Sequence, residues 1–283
     1  MEERQRALGV NVSSVCARAG MSRQNYYAQR KRRRREQVDG ALIEQLVQRE
    51  RQVQPRIGGR KLQRVLKKEL EAAGVTMGRD RFFEILRQRQ LLLAPRPAAF
   101  PRTTHSQHYL PVFTNRIKDL ELTGSNQVWV SDVTYLRTVE GFLYLSLITD
   151  KWSRKVVGYY CADTMAVQGC LEALEFALKE LPEHAKPVHH SDRGSQYCSH
   201  EYVNRLKERQ LGISMTESDH CAENALAERI NGILKGEYSL DLEFQNKEQA
   251  RCAVLQAVHL YNTRRLHTAL GYQVPEAVHA LAA

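Results

Sequence analysis

The strongest constraint on this chain lies between residues 127 and 162, where QVWVSDVTYLRT and FLYLSLITDKWSRKVVGYYCA stand on either side of a Glu140-Gly141 turn. Both runs are rich in β-branched and aromatic residues, and the turn residues between them predict three successive strands in hairpin connection. Downstream, the spacing predicts a helix at about 165–181 and a short strand, Pro187 to Ser191, leading to Asp192. A helix over SHEYVNRLKERQL, a short strand ISMTES and a long helix at roughly 222–237 follow.

Three antiparallel strands followed by helix, strand, helix, strand and helix is the order of a ribonuclease-H-like fold. The expected class is therefore α/β, with a mixed five-stranded sheet. The chain has 283 residues and is 42% hydrophobic, enough for a buried core and against disorder as the main state.

Charge divides the chain in two. Residues 1–120 hold 26 basic and 11 acidic side chains, whereas residues 121–283 hold 16 and 21. The formal net charge of +10 points to a polyanionic partner, met by the first part. Six scattered cysteines (Cys16, Cys161, Cys170, Cys198, Cys221, Cys252) without a CxxC pair suggest neither a zinc ribbon nor a disulfide framework, and fit a reducing cytoplasm. There is no apolar signal core and no run long enough to span a bilayer, so a soluble intracellular protein without a membrane partner is expected.

Residues 10–35 predict a helix capped by Ser13 or Ser14, a turn at Ala19-Gly20-Met21, and a second helix capped by Ser22 that carries Asn25, Tyr26 and Tyr27. This helix-turn-helix pattern runs into Arg30 to Arg35, six consecutive cations including Arg32 and Arg33. A phosphate backbone accommodates such a run, and a solvated linker or localisation tract accommodates it equally well. A second helical unit follows over residues 40–93, broken at Pro55 to Gly59, with core stripes Leu62, Val65, Leu66, Leu70 and Phe82, Ile85, Leu86. Its polar faces carry Arg60, Lys61, Arg64, Lys67, Lys68, Arg79, Arg81, Arg87 and Arg89 as DNA-facing candidates.

The expected organisation is a basic helix-turn-helix-like segment (1–40), a helical DNA-binding domain (41–95), and a Pro-rich linker (96–126). The α/β core (127–240) and a C-terminal helical extension (241–283) complete it.

Three carboxylates stand out in the core. Asp132 lies mid-strand among apolar neighbours, Asp192 just past a strand end, and Glu228, 36 positions later, rides a helix that returns it to the same sheet edge. A carboxylate so placed is costly without a partner or a metal, and three of them suit a pair of hard divalent cations of the kind used in phosphoryl transfer.

The strings WVSDVTYL (129–136), HSDRGSQY (190–197), ENALAERINGILKGE (223–237) and YNTRRLHTALGYQVPEAV (261–278) resemble the integrase core of bacterial insertion-sequence transposases. They are most similar to the second-frame product, OrfB, of insertion sequence family three. The unit from Arg56 to Leu92 resembles the helix-turn-helix domain that precedes this core, so the resemblance covers about 40–283.

The resemblance implies that Asp132, Asp192 and Glu228 form an acidic triad that is both catalytic and metal-binding, with two magnesium ions, manganese being a plausible substitute. It implies that Lys235, seven residues after Glu228, touches DNA; an ordinary solvated lysine is the alternative. Asn224 matches an asparagine of the family, orienting a ligand, touching DNA or simply capping, although Glu223 stands where the family has aspartate. Ile230 and Asn231 replace an aromatic pair, which puts the packing of that helix in question.

Gln196 and Tyr197 are further candidate DNA contacts, Tyr197 alternatively packing. Arg264 and Arg265, clustered with Tyr261, Asn262 and His267, either grip DNA or form salt bridges. His189 and His190 are expected to position or pack, Thr134 and Tyr135 to belong to the strand pattern, and Trp129 and Trp152 to lie in the core.

The function so implied is a transposase that cleaves element ends and joins 3′-hydroxyls to another phosphodiester. Its partners would be double-stranded DNA at element termini and target, further copies of the chain on that DNA, and an upstream-frame, OrfA-type protein. A non-catalytic DNA-binding regulator and a structure-specific nuclease of the same fold are the alternatives.

Overall fold

The computed structural model describes residues 11–94, 109–217 and 224–281, which fall into two compact units.

Among the described residues, the first unit holds four helices: α1 (Val12–Arg18), α2 (Arg23–Val53), α3 (Gly59–Ala72) and α4 (Arg79–Gln88). Asn11, rather than Ser13 or Ser14, caps α1, its Oδ1 accepting from Ser13 N at 3.0 Å. Ser22 caps α2 as expected, accepting from Asn25 N at 3.1 Å.

The boundary drawn at residue 40 falls inside α2, which runs unbroken for 31 residues. Only Gly40 interrupts the good helix formers there, at a cost of about 1 kcal/mol relative to alanine. The missing side chain leaves room for Arg89, whose guanidinium reaches within 3.0 Å of where a Cβ would stand. From that place Arg89 donates to Glu44 at 2.5 Å and to the Gln37 carbonyl at 3.3 Å. The buried residues of α2 begin at Gly40 and continue through Ile43, Leu46 and Val47, so residues 23–39 add no buried side chain. Leu62, Leu66 and Leu70 of α3 and Phe82, Ile85 and Leu86 of α4 are buried as the stripes predict.

The second unit is built on β1 (Val128–Thr138), β2 (Gly141–Asp150), β3 (Val156–Ala162), β4 (Val188–Ser191), β5 (Gly212–Met215) and β6 (Glu243–Phe244). The sheet order is β3-β2-β1-β4-β5, with two-residue β6 also beside β1. The first three strands are antiparallel, with Asp132 opposite Leu147, whereas β4 and β5 run parallel to β1. The five expected strands form as one mixed sheet, and β6 adds a short sixth.

Helices α5 (Val167–Lys179), α6 (Ser195–Cys198) and α7 (His200–Glu208) pack on one side through Trp129, Ile148, Leu174, Tyr197 and Tyr202. Helices α8 (Ala225–Glu237) and α9 (Lys247–Thr263) pack through a second cluster that includes Leu136, Leu145, Leu234, Val258 and Tyr261. Close approach of α5 to β3 requires Gly158, where a Cβ would stand 2.3 Å from the Ala173 carbonyl oxygen.

Three features depart from expectation. Part of the expected linker packs on the core, because Ile117 is buried with Val128, Val130 and Ala227. The C-terminal extension supplies α9 to the core and α10 (Pro275–Leu281) against it, with His279 Nδ1 at 2.9 Å from Ser153 Oγ. Trp152, expected in the core, is exposed on the turn after β2, whereas Trp129 is buried. Among the described residues no helix is long and apolar enough to cross a membrane.

Candidate active site

Sheet topology opens a gap beside β1. Strand β4 pairs with it only at residues 128–130, and β6 only at 137–138. Between these points α8 approaches, and Asn224 Nδ2, just before its first turn, donates to the Ser131 carbonyl at 3.0 Å. The last β1–β4 pair is Val130 with His190, so Asp132 and Asp192 each lie two residues beyond the point where the parallel strands part. A crevice at the carboxyl end of a parallel strand, where the sheet order reverses, is a common ligand-binding position.

Asp132 Oδ1 accepts from Val133 N at 2.9 Å, and Oδ2 accepts from Asn231 Nδ2 at 2.7 Å. Asp192 Oδ1 accepts from Gly194 N at 3.0 Å. A Cβ on Gly194 would stand 2.9 Å from Gln196 Oε1 and 3.0 Å from Asp192 Oδ1, so glycine lets both side chains approach this amide closely. Glu228 is exposed in the first turn of α8, where negative charge suits the helix dipole.

The three carboxylates feel one another. Burial, then the charge of Asp192, push the Asp132 carboxyl up to about 7, with a smaller push from Glu228, while the Asn231 and Val133 donors hold it down. Burial, then Asp192, also raise Glu228. As placed, no three His, Cys, Asp or Glu side chains among the described residues form a ready-made metal group. The acids are neighbours linked by repulsion, and their oxygen-only chemistry fits a hard divalent cation.

Lys235, two turns after Glu228, holds its ammonium 4.4 Å from the centre of the Tyr135 ring. Burial lowers its pKa, while the charges of Asp132 and Asp241 hold it up. Beneath β1, His189 Nε2 lies 2.7 Å from Ser131 Oγ and 2.9 Å from Tyr202 OH. Burial, with His190 beside it, lowers its pKa to about 3, so it is a neutral packing residue at ordinary pH.

Several expected DNA contacts are placed elsewhere. Tyr197 is buried in the core, edge-on to Tyr202 at 5.4 Å, because its ring completes the packing of α6 and α7. Asn224 is buried, its Nδ2 donating to the strand backbone and its Oδ1 without a hydrogen-bond partner. Arg265 is 5% exposed and grips Glu237 through Nε at 2.8 Å and Nη2 at 2.6 Å, tying the end of α8 to the segment after α9. Of the two readings the sequence leaves open for each of these residues, their burial and partners favour the structural one. Gln196 is half-buried, donating to the Met165 carbonyl at 3.2 Å, while Arg264 is exposed. In the helical unit Arg32, Arg33, Arg60 and Arg64 are all exposed, Arg32 pairing with Glu36 at 3.1 Å. Glu223 lies outside the described residues.

Sequence reading missed Asn231. Its signal was spacing: it falls seven residues after Asn224, three after Glu228 and four before Lys235, on one side of a helix.

Two family descriptions, both Integrase core domain, match residues 123–221 and 209–275. The uncharacterized 31 kDa protein of insertion element IS600 from Shigella sonnei is 35% identical over 269 residues, which is 93% of this chain and 96% of that protein. Transposase InsF for insertion sequence IS3A of Escherichia coli K12 is 37% identical over 191 residues, 67% of this chain and 66% of that protein. Among solved structures, the HTLV-2 integrase catalytic core domain in complex with magnesium is 21% identical, with a TM-score of 0.44 over 55% of this chain and 97% of that one. On the near full-length match and the integrase-core assignment, the chain belongs to the IS3-family transposases, enzymes of DNA phosphoryl transfer.

Proposed function

We propose that this chain cleaves DNA at the ends of an insertion sequence and joins the freed 3′-hydroxyls to target DNA, using Asp132, Asp192 and Glu228. The observation that carries the reading is that Asp132 and Asp192 each stand two residues past the last β1–β4 pair, beside α8 with Glu228 in its first turn, and that their charges act on one another. Such mutual repulsion destabilises a fold unless a cation relieves it.

In end cleavage, a water oxygen bonds to phosphorus, the bond to the departing 3′-oxygen breaks, and that oxygen takes up a proton. In joining, the freed 3′-hydroxyl attacks a target phosphodiester in line, again exchanging one P–O bond for another. A pair of divalent cations, magnesium or manganese, would supply charge neutralisation at the attacking and leaving oxygens. The chain supplies the oxygens that hold them: Asp132 from β1, Asp192 from the turn that Gly194 closes, and Glu228 from α8. Lys235, held over Tyr135 near Asp132, would meet a phosphate of the reacting strand.

The exposed start of α2 would bind DNA. At 100° per residue, the cations from Arg30 to Arg35 point all round the helix, which suits a groove walled by phosphates on both sides. Arg60, Arg64 and Arg264 add exposed positive charge for the same backbone. Two element ends must meet, so assembly of several copies on DNA, with or without an OrfA-type partner, belongs to the same proposal.

The test uses the purified chain, a plasmid bearing the element ends, and magnesium, with Asp192→Asn as control. Nicked and joined products from the wild type, absent with the variant, are expected. DNA binding without metal-dependent cleavage by the wild type would overturn the catalytic reading and favour a regulator. Cleavage without joining would favour a nuclease.

A further inference from the structure

The side chain of Asn231 is unlike its inward neighbours on α8, Ala227, Ile230, Ile233 and Leu234, all of which are apolar. It is 6% exposed, its Nδ2 donates to Asp132 Oδ2 at 2.7 Å, and its Oδ1 has no hydrogen-bond partner. The hydrogen bond to Asp132, rather than apolar packing, therefore orients this amide. With Oδ1 of Asp132 taken by the amide of its own neighbour Val133, Asn231 is the side-chain donor that sets the rotamer of this carboxylate.

The chemical type of the donor matters. A lysine or arginine in this place would neutralise Asp132 and repel an incoming cation, whereas a neutral amide orients the carboxylate and leaves its charge in place. The cation that is nearby, Lys235, sits instead over the Tyr135 ring.

We propose that Asn231 is a positioning residue of the carboxylate cluster, clamping Asp132 so that the cluster binds a divalent cation more tightly than an unclamped aspartate would allow. This rests on the reading of Asp132, Asp192 and Glu228 as a cation site, and it adds a residue that the acidic triad does not contain.

The test is manganese binding by the full chain without DNA, read by electron paramagnetic resonance of free Mn²⁺, in the wild type, Asn231→Leu and Asn231→Ala. Leucine matches the volume and removes the unpartnered amide, so the fold is expected to survive. Alanine only removes atoms, and serves should leucine misfold. Circular dichroism and thermal unfolding in chelator establish which variants are folded. A folded variant is expected to bind Mn²⁺ about tenfold or more weakly, the usual loss when a partner of a metal ligand is removed. Asn231→Gln, which keeps a donor one methylene further out, is expected to recover part of the loss. An unchanged Mn²⁺ affinity in a folded Leu or Ala variant overturns the proposal while leaving the cation site standing. A wild type that takes up no Mn²⁺ overturns the cation site itself, and the proposal with it.

Discussion

The start of α2 and the whole of α8 are both helices studded with charge, and they use it in opposite ways. Residues 31–35 expose their cations to water, where salt screens them, although Arg32 also pairs with Glu36. Helix α8 carries Glu228, Asn231 and Lys235 past β1, where each group answers to Asp132 or Asp192. Charge in the first helix should therefore behave additively. In the second it should behave as one unit, where a single change is felt by every member.

The largest expected effect follows from that coupling. Asp132→Asn and Asp192→Asn should each take DNA cleavage and joining below detection, measured on labelled element ends, while filter binding to the same DNA stays within about twofold of wild type. Both variants should also unfold at a temperature no lower than wild type in chelator, because a repelling charge has been removed. A fall in stability equal to that of a core truncation would break the comparison.

Next comes Arg265→Ala. Removing one partner of a buried pair leaves an uncompensated charge, at a cost of about 3–5 kcal/mol when both partners are fully buried. Glu237 keeps 27% of its side-chain surface, so the lower end, about 3 kcal/mol, is expected by denaturant unfolding. DNA affinity of the folded variant should be unchanged, which separates this arginine from exposed Arg264.

Much of this architecture was legible in the sequence and some was not, for physical reasons. Strand alternation and helical stripes reveal which residues face a core, so the five main strands, α3 and α4 could be placed. Tyr197, Asn224 and Arg265 each carry two readings in the sequence, because a polar group looks the same there whether it meets DNA or a buried partner. Their partners are Ser131 for Asn224, 93 positions away, and Glu237 for Arg265, 28 positions away. Trp152 was misread on hydrophobicity, although it sits in a turn. The expected domain boundary near residue 40 falls within a continuous helix, because one glycine is too weak to end it. Asn231 looked like a packing defect where an aromatic was expected, because its role appears only when Asp132 is seen beside it.

Two aspartates of the same hairpin sharpen the contrast through pH. Asp150 is buried, which pushes its pKa up, but donors from His279, Ser153 and Asn126 outweigh that and hold it below the ordinary value. Its contribution to stability is present above about pH 4 and lost as pH falls through the lowered folded value. Asp132 is raised to about 7, so the folded state keeps its proton longer than the unfolded state does. Stability from that group is greatest below about pH 4 and declines as pH rises towards 7. In chelator, the wild type should thus lose stability between pH 5 and 7.5, and Asp132→Asn should lose less of it. Parallel pH profiles for the two proteins would show that Asp132 is not coupled as the geometry indicates.

The smallest expected effect is the most informative about the other helix. Arg33→Ala removes an exposed cation that adds nothing to a buried core, so the unfolding temperature should not move. DNA affinity should fall by a similar factor on every sequence, and the slope of log affinity against log salt should drop by about one, as for loss of a single phosphate contact. If cations all round the helix each meet a phosphate, Arg34→Ala and Arg35→Ala should give the same decrement, and the triple variant their sum. A helix lying on DNA by one face gives a different pattern, since residues 100° apart cannot all touch it. One of the three would then carry nearly the whole effect, and the groove reading would give way to a surface contact.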